Sequence, residues 1–341
     1  MADVPRRPWR TLLRVVLSLA ALSWVLSRVD LDEARAHLGG LPAWAWLAPT
    51  VIYTLNSGLH GARVRVLMAA LGSAPPLGAV WGAMLRAAFA GAFLPSGGAE
   101  LAKVGLLARA SGSTEAALAS ILMARLLELV PWTLLLLWGL LWGIGEHDPV
   151  VGLAALVFAL GFSAVLLGSV LLAWRGLPPP ALLSRLPAPV ERLARRTHGA
   201  LTLLSHAPRA LLLSLLLSLP FSLLNCLTAF LVMRAHGLPI GYLDTLAIIP
   251  AVDTLISLPV SINGIGVREG LMVGLLAPWG AGEAVAVAVA WTRWTGELGR
   301  AALGGILVLV GGAGERRGGA GERRGGAGER RGGAGERRGG S

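Results

Sequence analysis

Apolar runs of about 20 residues recur along most of the chain, and no other feature constrains the fold as much. As a helix, a run of that length spans the roughly 30 Å hydrocarbon core of a bilayer. Only 14% of the 341 residues are charged, against about 25% in soluble domains. The pattern excludes a soluble globular enzyme and predicts an all-α polytopic membrane protein. The predicted segments are 11–27, 44–70, 79–94, 117–143, 150–174, 209–233, 245–262 and 284–310, with a shorter one at 267–279.

The net charge of +11 would fit a nucleic-acid-binding protein, but its distribution argues against one. Four repeats of Gly-Gly-Ala-Gly-Glu-Arg-Arg begin at Gly311 and contribute +4. Other arginines concentrate in the N-terminal stretch and in loop 175–208, as is typical of cytoplasmic loops. We therefore expect no specific nucleic-acid binding, a cell-membrane location and cytoplasmic termini. Segment 1–310 is predicted to be the transmembrane domain, and 311–341 a disordered tail, because its repeats lack large apolar residues.

The same rule predicts that some apolar segments do not cross the membrane. Loops 28–43 and 144–149 carry acidic residues and are placed outside, opposite the basic loop. Counting the crossings between these loops requires 79–94 either to enter and leave on one side or to be one half of a hairpin. Segments 245–262 and 267–279 form a hairpin from the outer side. We predict six to eight transmembrane helices in total, with two re-entrant hairpins.

The two halves of the sequence resemble each other at an offset near 168 residues. Arg125 in the first half matches Arg293 in the second, and Asn56 matches Asn225. Matched pieces have opposite orientations in the predicted topology. This is the signature of an inverted repeat, which in transporters places a binding site where broken helices meet.

Two Pro- and Gly-containing turns interrupt the apolar runs, at 93–100 and 258–270. Broken backbone within a membrane is tolerated only inside protein or beside a wet cavity. The freed N–H groups at a half-helix start can hold an anion, and Ser96, Ser261 and Asn263 would add hydrogen bonds. A purely structural turn, with glycines for close helix packing, also remains open.

Ionisable residues within the spans are the remaining candidates, because such groups are costly and face a cavity or one another. Arg125 and Glu128 lie three apart, and Arg293 and Glu297 lie four apart. Each pair either fixes helix packing or holds a lipid phosphate with an arginine that the glutamate orients. Asp253 is a candidate proton or ion site. The lipid-binding candidates are Glu100, Lys103, Arg125, Glu128, Ser261, Asn263, Arg268, Glu269, Arg293 and Glu297. The six histidines show no metal-binding spacing, so no metal or cofactor is expected.

The second turn, LPVSINGIGVREG at 258–270, resembles the signature of the lysylphosphatidylglycerol synthase transmembrane-region family, also called flippase-like proteins. The stretches 94–109 and 125–128 are similar to a looser motif of that family. They depart from it at Ala99, which intervenes before the acidic residue, and at Ala124, which replaces an acidic residue before the arginine. The resemblance covers about residues 10–310.

The resemblance implies a protein that binds and translocates a membrane lipid with a charged headgroup, of the phospholipid or polyprenyl-phosphate type. The full-length synthases add a soluble aminoacyl-transferase domain, whereas this chain continues into its repeat tail, so we expect no aminoacylating activity. A membrane-embedded enzyme, or partner of one, acting on lipid-linked sugars stays an alternative, with Glu100, Asp253 or Glu269 as the carboxylate. A non-transporting scaffold is another alternative. Homo-oligomers and a lipid-modifying enzyme partner also stay open.

Overall fold

The computed structural model describes residues 29–93, 98–142, 188–256 and 264–332, with single positions within 23–27 and 152–175. Within these residues every regular element is a helix, which confirms the predicted all-α class. The first half contains α1 (Leu31–Gly39), α2 (Ala43–Ala70), α3 (Leu77–Phe93), α4 (Gly98–Ser111) and α5 (Thr114–Trp142). The second half contains α6 (Ala188–Ser205), α7 (Pro208–Ala235), α8 (Tyr242–Ile256), α9 (Val267–Leu276) and α10 (Glu283–Gly332). Apart from the single positions, the predicted spans 11–27 and 150–174 lie outside the described residues.

Glycines with left-handed backbone mark equivalent helix ends in the two halves. Gly72 and Gly237 follow α2 and α7 with φ angles of 73° and 79°, and Gly112 and Gly280 precede α5 and α10 with 74° and 76°. Glycine adopts this conformation without the steric cost that other residues meet. The spacings within these two pairs agree with the offset of the predicted repeat.

The helices of the two halves interlock in matched pairs. Helix α2 packs against its counterpart α7. Helix α3 packs against α10, and its counterpart α8 packs against α5, the counterpart of α10. Helix α1 also packs against α10, and its counterpart α6 packs against α5. Each of these contacts between the halves therefore has a counterpart with the halves exchanged, as expected for a pseudo-two-fold axis. This pattern of contacts supports the predicted repeat, whose inverted membrane orientation stays a prediction.

Each half contains two consecutive short helices. Helices α3 and α4 have 17 and 14 residues, and α8 and α9 have 15 and 10. At 1.5 Å per residue they are about 15 to 26 Å long, less than the roughly 30 Å of a bilayer core. These lengths favour the predicted re-entrant hairpins, which stay a prediction because the connections 94–97 and 257–263 lie outside the described residues.

The long helices pack closely around these short ones. Among the described residues, Thr114–Gly139 of α5 and the whole of α7 are long and apolar enough to cross a membrane. Helix α10 approaches its neighbours through small residues: a Cβ atom at Gly299 would collide with Thr50 of α2, and one at Gly304 with the carbonyl of Leu85 in α3. Close approach through small residues is typical of transmembrane helix packing.

Helix α10 continues into the repeat segment as far as Gly332, which differs from the disorder predicted there. Each repeat contains three glycines, and a glycine within a helix is about 1 kcal/mol less favourable than alanine. The repeats also lack the large apolar side chains with which a helix packs. The division into a transmembrane domain at 1–310 and a disordered tail at 311–341 stays a prediction.

Candidate functional site

Four helices contribute to a hydrogen-bonded ion pair around Arg293, in the membrane-domain part of α10. The Nη1 and Nη2 atoms of Arg293 donate to Oδ1 and Oδ2 of Asp253 on α8, over 2.8 and 2.7 Å. Its Nε atom donates to the Tyr53 hydroxyl on α2 at 3.0 Å. Asn225 on α7 donates to Oδ2 of Asp253 at 2.6 Å and accepts from Nη2 of Arg293 at 3.3 Å. The Arg293 side chain is only 4% exposed, so its charge is engaged inside the protein.

This network corrects the pairing that the sequence indicates for Arg293. Glu297, expected to orient Arg293 from one turn along the same helix, lies instead 3.8 Å from the guanidinium of Arg268 on α9. Asp253 takes the expected place of Glu297, because its carboxylate meets both terminal nitrogens of Arg293 from the neighbouring helix. Asp253, for which a proton or ion role was predicted, is thus the counter-ion of Arg293 in this structure.

The matched arginine of the first half, Arg125, forms the expected contact with Glu128 on the same helix. Its Nη1 atom donates to Oε1 of Glu128 at 3.3 Å, and Oε2 of the same carboxylate accepts from Nη1 of Arg63 at 3.2 Å. Glu128 therefore bridges α5 and α2. Arg63 is fully buried, whereas the Arg125 side chain is 46% exposed. Arg63, which the predicted topology places near the inner membrane face, belongs to the ionic core.

A mostly buried histidine lies beside this bridge. The Nδ1 atom of His60 on α2 is 4.0 Å from Oε2 of Glu128, and its ring centre is 5.7 Å from that of Phe221 on α7. Neither ring nitrogen of His60 has a hydrogen-bond partner among the described residues, and nor does Nε of Arg63. Buried polar atoms without partners are costly, so water or a ligand is expected here.

The short helices bring further charges to the same core. Lys103 and Glu100, near the start of α4, form an ion pair of 2.8 Å. The carboxylates of Glu100 and of Asp253 on α8 both attract the Arg125 guanidinium. Groups from both halves therefore belong to one ionic core.

Helix α9 begins at this core with a capped first turn. The Glu269 carboxylate accepts a hydrogen bond of 2.7 Å from the N–H of Gly266, so it caps its own helix. Arg268 and Glu269 are both buried. The predicted lipid-binding residues Ser261 and Asn263 lie outside the described residues.

Five residues of the core are not among the lipid-binding candidates predicted from the sequence. These are Tyr53, His60, Arg63, Asn225 and Arg300. Arg300 on α10 acts electrostatically on His60, and its guanidinium carbon lies 5.8 Å from the centre of the Tyr53 ring. The sequence of α2 does contain a pattern that indicates a polar helix face. Asn56, His60 and Arg63 follow at intervals of four and three residues and so lie on one side of the helix.

The charges of the core are unequally divided between two groups of residues. The Glu128 cluster contains four cations and two carboxylates: Arg63, Lys103, Arg125, Arg300, Glu100 and Glu128. The Asp253 cluster contains two cations and three carboxylates: Arg268, Arg293, Asp253, Glu269 and Glu297. The first cluster therefore has two surplus positive charges, and the second has one surplus negative charge.

The helical repeat and its ionic core are those of a polytopic α-helical membrane protein. The chain belongs to the lysylphosphatidylglycerol synthase transmembrane-region family, whose model, described as "Lysylphosphatidylglycerol synthase TM region", matches residues 11–293. This confirms the resemblance predicted from the sequence. The match includes both clusters except Glu297 and Arg300. Searches of curated proteins and of solved structures found no match to this chain.

Proposed function

We propose that this protein binds a lipid with a charged headgroup, of the phospholipid or polyprenyl-phosphate type, and translocates it across the cell membrane. The ionic core is the observation that carries this proposal, because six helices bring charged side chains together inside a membrane domain. Charged groups at membrane depth are costly and mark the path of a substrate or ion.

The short helices support transport in particular. Glu100 lies in the first turn of α4, and Arg268 lies in the first turn of α9. Discontinuous helices of this kind meet at the substrate site in transporters built from inverted repeats. In the proposed mechanism, the α3–α4 and α8–α9 pairs open the core alternately to the two membrane faces, while the acyl chains stay in the lipid.

The contacts of the candidate carboxylates favour transport over catalysis on a lipid-linked sugar. Glu100 is paired with Lys103, and Asp253 is held by Arg293. Glu269 caps its own helix. An oxygen that already accepts a hydrogen bond from a cation or an N–H group is a weaker general base, because that contact stabilises the ionised form of the carboxylate.

Reconstituted vesicles test the proposal. Purified full-length protein should move an acyl-labelled anionic phospholipid between leaflets faster than it moves in empty vesicles, without chemical change to the lipid. The Arg268→Gln variant should slow this movement at least tenfold, because it removes a buried cation of the core. The matched control is Arg195→Gln on α6, whose side chain is 52% exposed and paired with Glu191. A covalently altered lipid would favour the enzyme, and equal rates in loaded and empty vesicles would overturn the proposal.

A further inference from the structure

The pseudo-two-fold repeat allows the surroundings of Arg125 and Arg293 to be compared directly. Arg293 holds a complete carboxylate from α8, with both oxygens bound. The matched turn glycines are 165 and 168 residues apart. With these offsets, the position equivalent to Asp253 is at 85–88 in α3, the counterpart of α8. The sequence there is Leu-Arg-Ala-Ala and contains no acid. Arg125 therefore lacks the carboxylate that its counterpart has, and its side chain is half-exposed.

The Glu128 cluster also contains buried polar atoms without hydrogen-bond partners. The Nε atoms of Arg63 and Arg300 and the ring nitrogens of His60 have no hydrogen-bond partner among the described residues. Lys103, Arg125 and Arg300 all lie close enough to act electrostatically on the His60 ring. Bound water could satisfy the hydrogen bonds, but it adds no negative charge. The Asp253 cluster offsets only one of the two surplus positive charges of the Glu128 cluster, so one stays uncompensated. Uncompensated charge is costly inside a protein, so we expect an anion to bind at the Glu128 cluster.

We propose that the Glu128 cluster binds the phosphate of a lipid that ends in a phosphomonoester. This inference rests on the proposed function and names the headgroup class. A phosphomonoester carries a charge of about −1.5 to −2 at pH 7, with three acceptor oxygens. The charge matches the surplus of the Glu128 cluster, and the three oxygens match three donors: the Nε–H groups of Arg63 and Arg300 and the one N–H of a neutral His60 ring. A phosphodiester brings one negative charge, and a choline head adds a positive charge that the cluster would repel. Arg125, half-exposed and bound to one carboxylate oxygen, is the first contact of the phosphate.

Binding to the purified full chain in detergent tests this assignment. Dihexanoyl phosphatidic acid is the phosphomonoester probe, and dihexanoyl phosphatidylcholine is the zwitterionic comparison, both followed by titration calorimetry. Phosphatidic acid should bind at least tenfold more tightly than phosphatidylcholine. Arg125→Gln and Arg300→Gln should each raise the Kd about tenfold or more, since each removes a charged donor. Arg300→Lys should recover most of the affinity, and Arg195→Gln should bind like the wild type.

The remaining outcomes separate the assignment from its alternatives. Equal affinity for the two lipids overturns the phosphomonoester class, even if the variants fail to fold. Unchanged affinity in folded Arg125→Gln and Arg300→Gln overturns the site. Inorganic phosphate should bind at least tenfold more weakly than phosphatidic acid, and equal binding would assign the cluster to free phosphate instead of a lipid. If vesicles transfer phospholipid while phosphatidic acid does not bind, this inference fails and the proposed function stands. If phosphatidic acid binds here but no lipid is transferred, the proposed function fails instead.

Discussion

Arg293 and Asp253 form a two-pronged ion pair, in which two guanidinium N–H groups donate to the two carboxylate oxygens at 2.8 and 2.7 Å. Such bidentate, charge-assisted hydrogen bonds are the strongest that side chains make. The pair joins α8, one of the short helices, to the long helix α10. It therefore fixes the position of the second short-helix pair in this structure.

Removing one partner of this pair should destabilise the protein strongly. Asp253→Leu leaves Arg293 without its counter-ion, which typically costs about 3–5 kcal/mol for a buried pair. The double variant Asp253→Leu with Arg293→Met should recover most of the loss, since replacing both partners by apolar residues is often neutral. Thermal unfolding in detergent measures both effects. Glu191→Gln, which breaks an exposed pair, should cost about 1 kcal/mol or less. A double variant no more stable than Asp253→Leu would contradict the counter-ion role.

The contact between α10 and α3 should tolerate no added side chain at Gly304. In Gly304→Ala the new Cβ atom meets the carbonyl of Leu85, so the two helices must separate and lose packing. A fall of a few kcal/mol in unfolding free energy is expected, as for overpacked cores. Gly105→Ala on α4 is the matched control, because nothing lies within 4 Å of its added Cβ and alanine is the better helix former. Similar stability of the two variants would argue against the close helix contact.

The turn before α9 should depend on Gly264 for two reasons that can be separated. Gly264 and Gly280 have the same φ angle of 76°, so alanine at either position meets the same left-handed strain of about 1–2 kcal/mol. Only at Gly264 would the added Cβ also collide with a neighbour, the side chain of Ile256. Gly264→Ala should therefore lower the melting temperature more than Gly280→Ala does. Equal losses would show that the turn is not packed against α8 as described.

Labelling of single cysteines should place α1 and α6 on opposite membrane faces. The two helices are equivalent in the repeat, but the first turn of α1 contains Asp32 and Glu33, whereas α6 carries three arginines. By the positive-inside rule, α6 is cytoplasmic and α1 is outside. An impermeant maleimide applied to intact cells should label Arg35→Cys and leave Arg195→Cys unlabelled until the membrane is opened. The one native cysteine, Cys226, is buried and provides the unlabelled background. Labelling of both variants from the same side would contradict an inverted repeat.

The sequence predicts the repeat well because its markers are local and appear twice. The turn glycines and the pair Arg125 and Arg293 recur near the same offset, and the helices of the structure follow that order. The site is predicted less completely, because its contacts join distant parts of the chain. Arg125 and Glu128 are neighbours on one helix and were paired correctly, as helix spacing allows.

Helix spacing gives no information on partners that lie on another helix. Asp253 and Arg293 are 40 residues apart, so the sequence offered Glu297 as the nearer choice. Arg63 and Glu128 are 65 residues apart, and the predicted topology places Arg63 near the inner membrane face. Only the packing of α2 against α5 shows that its charge belongs to the core.

Whether this protein moves lipid between leaflets is measured in vesicles of defined protein content. An acyl-labelled anionic phospholipid, protected in the inner leaflet, is made accessible to a quencher outside only if it crosses the membrane. The rate of this exposure should rise in proportion to the number of protein molecules per vesicle and should fall at least tenfold in Arg268→Gln. A rate that equals that of protein-free vesicles at every protein content would contradict the proposed translocation.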